Sequence, residues 1–271
     1  MRLGGVWLVM ATGCAFRLPD AAPAGADGAQ PAGDDAPPPP PPVDAPFVTC
    51  TTSDPDLAVC LELEDPARLG LDGSGKAHDA TLANVTTTQR PVPAPSRAAR
   101  VDITSDITIP DSADFNMSGY TLAAWVDPDS APPAGDEAGV LDLGAREAAL
   151  VLDDQGRVTC YAKTTQTLWF RTGAAITSGQ WSFVACTYQE PMLCAYVLRA
   201  DGSAPEKSCG STTDGAPMHT TSTFGVEVGN VVDAPAGPTG VRMHGGVDAV
   251  RVYRRGLAQS ELCASAGLPS C

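Results

Sequence analysis

The sequence predicts an all-β domain, an antiparallel β-sandwich or jelly roll over residues 47–271, behind a secretion signal and a proline-rich stalk. Three observations carry this. Nine short segments rich in β-branched and aromatic residues recur between clusters of Gly, Pro, Asp and Ser. Many of them alternate with period two, and helical periodicity is almost absent. After the stalk, about 225 residues run on with no second proline-rich break and no internal repeat, which suits one β domain.

The chain opens with Met1-Arg2, a short positive start, followed by the nine apolar residues Leu3–Ala11. That is the layout of a secretory signal. Ala11-Thr12-Gly13 then precede Cys14, which resembles the lipobox of bacterial lipoproteins, with Ala11 where Leu is usual. Residues 1–13 are expected to be removed and the Cys14 thiol to carry a diacylglycerol. The alternative is an ordinary signal peptide with an incidental cysteine. Residues 14–46 form the lipidated Cys and its Pro/Ala/Asp-rich linker, in which Pro37–Pro42 favours extended polyproline II. One Arg against five Asp adds self-repulsion. A disordered stalk holding a domain off a membrane is the expectation, with several acyl chains anchoring more firmly than one. Ala15, not Asp, follows Cys14; in known lipoproteins that favours the outer membrane, so the expected location is the cell envelope.

The predicted strands follow in order: Asp106–Pro110, Tyr120–Asp127, Ala149–Asp153, Arg157–Ala162, Thr167–Arg171, Trp181–Tyr188, Leu193–Arg199, Phe224–Asn230 and Val247–Arg254. Within Trp181–Tyr188, Ser182, Val184, Cys186 and Tyr188 share one face, and Phe183, Ala185 and Thr187 the other. One short helix is expected, over Leu257–Ala266.

Composition narrows the function. With 17 basic against 32 acidic residues the net charge is −15, which argues against a nucleic-acid partner. No apolar run reaches the roughly 20 residues of a membrane-spanning helix. Nine cysteines point to an oxidising compartment. Once Cys14 is set aside, eight remain, Cys50, Cys60, Cys160, Cys186, Cys194, Cys209, Cys263 and Cys271, and four disulfides is the simplest expectation. No C-x-x-C is present to support a redox or zinc-ribbon site.

Three blocks in register, YTLAAWVDPDS, SGQWSFVACTY and GGVDAVRVYRRGLAQSEL, resemble the laminin G-like branch of the concanavalin A-like lectin folds. The residues are Ala124-Trp125-Val126, then Trp181, Val184 and Ala185, then Gly246, Asp248, Arg251 and Tyr253, with Leu257 and Glu261 on the short helix. Leu63-Glu64-Asp65 and Asp72–Leu82 resemble the family's opening strand and its Asp-x-Ser-Gly loop, so the likeness covers residues 57–266. It implies two stacked, curved antiparallel sheets. Cys50–Cys60 and Cys263–Cys271 would close terminal loops. Such sheets can set Cys160 beside Cys186, leaving Cys194 to Cys209; the rival pairs Cys186 with Cys194 across a hairpin turning at Glu190.

Related folds include glycoside hydrolases, which need two carboxyls flanking the sugar bond. Glu62 and Glu64 share a face if LELED is a strand, but the alternating Glu, Asp, Glu of the hydrolase branch is absent, so no enzyme is expected. His78, His219 and His244 stand in turn-rich segments without metal-binding spacing and read as surface loop residues. Trp125 and Trp181 read as core; Trp169 reads as core, with sugar stacking as the alternative. A structural calcium ion is expected near Asp248. Alternation puts Asp248 on the face of Val250 and Val252, with Arg251 toward water, and an inward carboxylate calls for a partner; the alternative to calcium is that Asp248 caps a turn or pairs with Arg251 or Arg254 without metal. In the resembling family a calcium often joins the first and last strands, which makes Glu64 the partner. The expected function is a lipid-anchored envelope protein binding a glycan or a surface protein; the alternatives are a structural envelope component and, remotely, a glycoside hydrolase.

Overall fold

The computed structural model describes residues 50, 53–164, 168–212, 222–231, 240–268 and 271. All of these fall in one unit, Pro42–Cys271. The signal peptide, Cys14, the stalk and His219 lie outside the described residues. Among the described residues, sixteen strands follow one another. The first eight are β1 (Leu57–Leu61), β2 (Thr81–Ala83), β3 (Thr86–Arg90), β4 (Ser96–Val101), β5 (Asp106–Ile109), β6 (Tyr120–Pro128), β7 (Glu137–Leu143) and β8 (Ala148–Asp153). Then come β9 (Arg157–Lys163), β10 (Leu168–Ala175), β11 (Ser182–Gln189), β12 (Met192–Arg199), β13 (Glu206–Ser211), β14 (Val226–Val228), β15 (Gly240–Arg242) and β16 (Gly245–Tyr253). An α-helix, α1 (Gln259–Ser265), closes the series.

The strands form two sheets. Sheet one has the order β13-β12-β11-β6-β16-β4-β3, with β1 also paired to β16; sheet two has the order β10-β9-β8-β7-β14-β5-β2, with β15 parallel to β7. Alternation explains the stacking. Leu122, Ala124 and Val126 of β6 and Val184, Cys186 and Tyr188 of β11 face Leu150, Leu152 and Val158 of sheet two in one apolar layer. The opposite face of sheet one is apolar too: Ala123, Trp125, Phe183 and Ala185 meet Leu262, Cys263 and Ala266 of the C-terminal segment. There Trp125 packs edge-on against Phe183 at 5.7 Å and donates its indole N–H to the Ala266 carbonyl at 3.2 Å. Trp125 and Trp181 are therefore buried as expected, but in this second layer beneath α1.

All four disulfides form, in the first of the two pairings: Cys50–Cys60, Cys160–Cys186, Cys194–Cys209 and Cys263–Cys271. Cys160–Cys186 crosses the core between β9 and β11. The rival pairing fails on register. Gln189 pairs with Met192 around a Glu190–Pro191 turn, which sets Cys194 opposite Thr187 and turns it from the face Cys186 occupies. Cys194 instead stands directly across from Cys209 on β13.

The opening strand is Leu57–Leu61, not Leu63–Asp65. Leu63 takes a φ of 55°, which ends the strand before LELED is complete, so Glu62 and Glu64 do not share a strand face. Strands β1, β2, β3, β4, β7, β13 and β15 have no counterpart among the nine predicted. Several are polar or short, and they owe their extension to the neighbours they pair with.

Candidate functional site

Asp248 lies elsewhere than its alternation implies. Ala249 adopts a φ of 48°, and the register between β16 and β6 shifts between Asp248 and Arg251. This bulge adds one residue and reverses the parity of everything after it. Val250 and Val252 face the inter-sheet core, while Asp248 and Arg251 both lie on the opposite face and both are buried. The expectations that Asp248 shares the face of the valines and that Arg251 meets water are thereby corrected.

Arg90 answers the Asp248 charge. Its Nε lies 2.5 Å from Asp248 Oδ2, with both side chains 0% exposed. The Ser96 hydroxyl donates to the same oxygen at 3.3 Å and the Ala249 N–H to Oδ1 at 2.8 Å. Arg90 also donates to the Val92 carbonyl at 2.7 Å and lies 5.4 Å from the Trp125 ring centroid. Burial pushes the Asp248 carboxyl up to about 6, against the pull of Arg90 and Arg251. Burial likewise lowers Arg251, and Glu62, Tyr253, Asp248 and Glu64 pull it back. Asp248 thus serves a guanidinium group, and Glu64 is near enough to Arg251 for its charge to be felt there. A carboxylate sealed beside two arginines does not fit a divalent cation, which needs several free oxygen ligands.

The Asp-x-Ser-Gly loop is a structural clasp. Asp72 accepts the N–H groups of Cys60 (2.9 Å), Ser74 (3.0 Å) and His78 (3.0 Å) and the Ser74 hydroxyl (2.6 Å). The loop is thereby tied to β1. His78 is more enclosed than a surface loop residue: it pairs with Asp114 at 3.0 Å and packs on Phe115. His244 is exposed, as expected.

A ligand face remains to be found, and the two sheets differ sharply in what they turn outward. The central strands of sheet one are covered on their outer face by α1 and its flanks. The outer face of sheet two carries a buried patch of Ala149, Val151, Tyr161 and Val231, with Phe170 and Lys163 exposed beside it. Cys160 must point inward to meet Cys186, so its neighbours Thr159, Tyr161 and Lys163 point outward. Opposite them on β10, Phe170 faces out and is 68% exposed, 6.2 Å from the Tyr161 ring. Trp169, next along the strand, packs against the inter-sheet core. Core is its place, and the aromatic left for solvent is Phe170.

Tyr161 is fixed in place. Its hydroxyl donates to Glu137 Oε1 at 2.6 Å, and Glu137 Oε2 takes Arg146 Nη1 at 3.0 Å. The Arg146 guanidinium lies 5.6 Å from the Tyr161 ring centroid, and the Arg146 backbone N–H donates to Asp142 Oδ1 at 2.7 Å. Small residues make room for this arrangement, since Ala149 and Gly139 face outward beneath it and a Cβ at Gly139 would strike the Asn230 backbone. Burial, with the hydrogen bond and charge of Glu137, raises the Tyr161 hydroxyl above the ordinary tyrosine range. Nearby, Lys163 bonds Glu147 at 3.0 Å, and the Thr159 and Thr172 hydroxyls lie 3.2 Å apart. None of these residues stood out in the sequence. The usable signal was the inward demand of Cys160, which by alternation turns Tyr161 to the outer face of the sheet, where it is buried with Ala149, Val151 and Val231.

A match to the family model of the concanavalin A-like lectin/glucanases superfamily over residues 102–263 accounts for this architecture. The chain belongs to that superfamily. Among solved structures, this superfamily member is similar to domain 4 of AbnA, a GH43 extracellular arabinanase from Geobacillus stearothermophilus in complex with arabinotriose. The identity is 18% and the TM-score 0.57, covering 78% of this chain and 98% of that one. It is also similar to the binding domain of botulinum neurotoxin DC in complex with rat synaptotagmin II, at 10% identity and TM-score 0.51, where it spans about half of that chain. A third likeness, to the Trypanosoma rangeli sialidase in complex with the inhibitor DANA, has 19% identity and TM-score 0.51 and covers 32% of that chain. These likenesses establish the fold. No curated protein matches the sequence. For this member of the superfamily, the outward face of sheet two is the candidate site.

Proposed function

We propose that the domain is a non-catalytic binding module that takes a glycan on the outward face of sheet two, and that Cys14 anchors it to the cell envelope by lipid. One observation carries the reading: an exposed Phe170 beside a Tyr161 that is already locked by Glu137 and Arg146. A flat apolar ring with the half-exposed Lys163 ammonium and the half-buried Thr172 hydroxyl on the same face suits a sugar's apolar face and polar rim. Because Tyr161 is held before any ligand arrives, little freedom is lost on binding. Arabinotriose bound by the AbnA domain lends support. The absence of turnover rests on the carboxylates. Glu137 and Glu147 of this face are engaged by Arg146 and Lys163, whereas hydrolysis needs one carboxyl protonated and another free to attack.

The test is titration of purified protein against a panel of oligosaccharides, wild type beside Phe170→Ala. Loss of the exposed ring should weaken binding about tenfold, with the melting temperature unchanged. An unchanged affinity, or reducing ends released from any polysaccharide, would sink the reading. The anchor has its own test: intact mass of the membrane fraction should show acyl groups, and Cys14→Ser should release soluble protein. A wild-type protein secreted free and unacylated would refute it.

A further inference from the structure

We infer that the ligand is a linear glycan chain bound along its length, with Phe224 as a second stacking platform, an inference that rests on the glycan-binding reading above. Among the described residues two phenylalanine rings stand in solvent, Phe170 and Phe224, the latter 55% exposed. Phe170 belongs to β10 at the edge of sheet two, and Phe224 to the segment that leads into β14. The strand order between them is β10-β9-β8-β7-β14, a lateral distance of about 19 Å at the usual strand spacing.

A polar bridge joins the two rings. Phe170 lies 6.2 Å from the Tyr161 ring, and Lys163 comes two residues after Tyr161 on β9, on the same face. The Lys163 backbone N–H donates to the Glu147 carbonyl at 2.8 Å, and its ammonium to Glu147 Oε1 at 3.0 Å. Glu147 Oε2 accepts the Ser222 N–H at 3.1 Å, and the Ser222 hydroxyl accepts the Phe224 N–H at 3.1 Å. The buried Glu147 carboxylate is therefore a post that holds Lys163 on one side and the start of the Phe224 segment on the other. Lys163 itself is half-exposed, so its ammonium keeps N–H donors for a ligand lying over it.

This spacing sets the class of ligand. A sugar ring covers one phenyl ring, and a mono- or disaccharide seated on Phe170 ends short of Phe224. A longer chain crosses the gap, stacking at both ends and accepting from the Lys163 ammonium between them. Once one end is seated, the other binds within the same complex at high effective concentration, so two weak platforms act as one firm site.

A chain-length series decides it, titrated into the purified protein by calorimetry. The probes are arabino-oligosaccharides from arabinose upward, or the corresponding series of whichever panel sugar binds most tightly. Affinity should step up about tenfold or more once the oligomer is long enough to span both rings. Phe224→Ala should abolish that step and leave the short oligomers as they were, whereas Phe170→Ala should weaken every length. If Phe224→Ala lowers the melting temperature, Phe224→Leu keeps an apolar side chain without the flat ring and should lose the step in the same way. An affinity that does not grow beyond the disaccharide would overturn the inference while sparing the glycan reading. So would a Phe224 variant that melts like wild type and binds long chains equally well. Binding of no sugar, in the series or in the wider panel, would sink both.

Discussion

Replacing Asp248 by Asn tests whether the bulge in β16 has been read correctly. In the wild type the Arg90 guanidinium is fully buried, with the Asp248 carboxylate 2.5 Å from its Nε, the Val92 carbonyl, and the Trp125 ring alongside. The Asn amide preserves shape and can still accept a hydrogen bond, but Arg90 loses its countercharge. Breaking one side of a buried pair costs about 3–5 kcal/mol, a large part of the roughly 5–15 kcal/mol that holds a domain together. Denaturant unfolding of both proteins at pH 7 should therefore show the Asn variant less stable by that amount. Arg90→Met combined with Asp248→Leu should recover most of the loss, because a buried pair can be exchanged for apolar groups at little cost. Chelator should leave melting unchanged in every variant. An Asp248→Asn protein within about 1 kcal/mol of wild type, or a chelator-dependent melting point, would refute the ion-pair account.

Two further outcomes follow from the same structure. Cys160→Ser with Cys186→Ser opens a link 26 residues apart in sequence and should cost about 3.5 kcal/mol by loop entropy, read by denaturant unfolding under non-reducing conditions; thiol labelling of the denatured, unreduced wild-type domain should find no free cysteine. Asp72→Ala should cost about 2–3 kcal/mol, since it strips the hydrogen bonds that tie the Asp-x-Ser-Gly loop to β1. Burial works to raise the Asp72 carboxyl, but those hydrogen bonds outweigh it and hold it below its usual 3.8. Its contribution is thus present above pH 3.8 and is lost as pH falls through the folded-state value, so the gap between variant and wild type should close in acid. A gap that persists or widens there would contradict the clasp.

Local pattern determined much of this protein. Alternation along Ser182–Tyr188 set its two faces, the even cysteine count gave four bridges, and the blocks around Trp125, Trp181 and Tyr253 pointed to the superfamily. These features were legible because a strand's side-chain period is a property of its own residues. Tertiary structure alone decided the rest. Strands β3 and β13 carry little apolar signal and are extended because β4 and β12 pair with them. Whether Trp169 or Phe170 meets solvent depends on which way β10 is turned, and its partner β9 is oriented by the Cys160–Cys186 bridge through the core. Asp248 shows the limit most clearly. A single residue at φ 48° reverses the parity of a strand, and nothing in Val-Asp-Ala-Val-Arg-Val announces it. The bulge places Asp248 and Arg251 on the layer beneath α1, where Arg90, arriving from a strand 158 residues earlier, supplies the countercharge. A pattern read along one strand carries its period but not the partner chosen across the sheet, and that partner settled what the buried carboxylate binds.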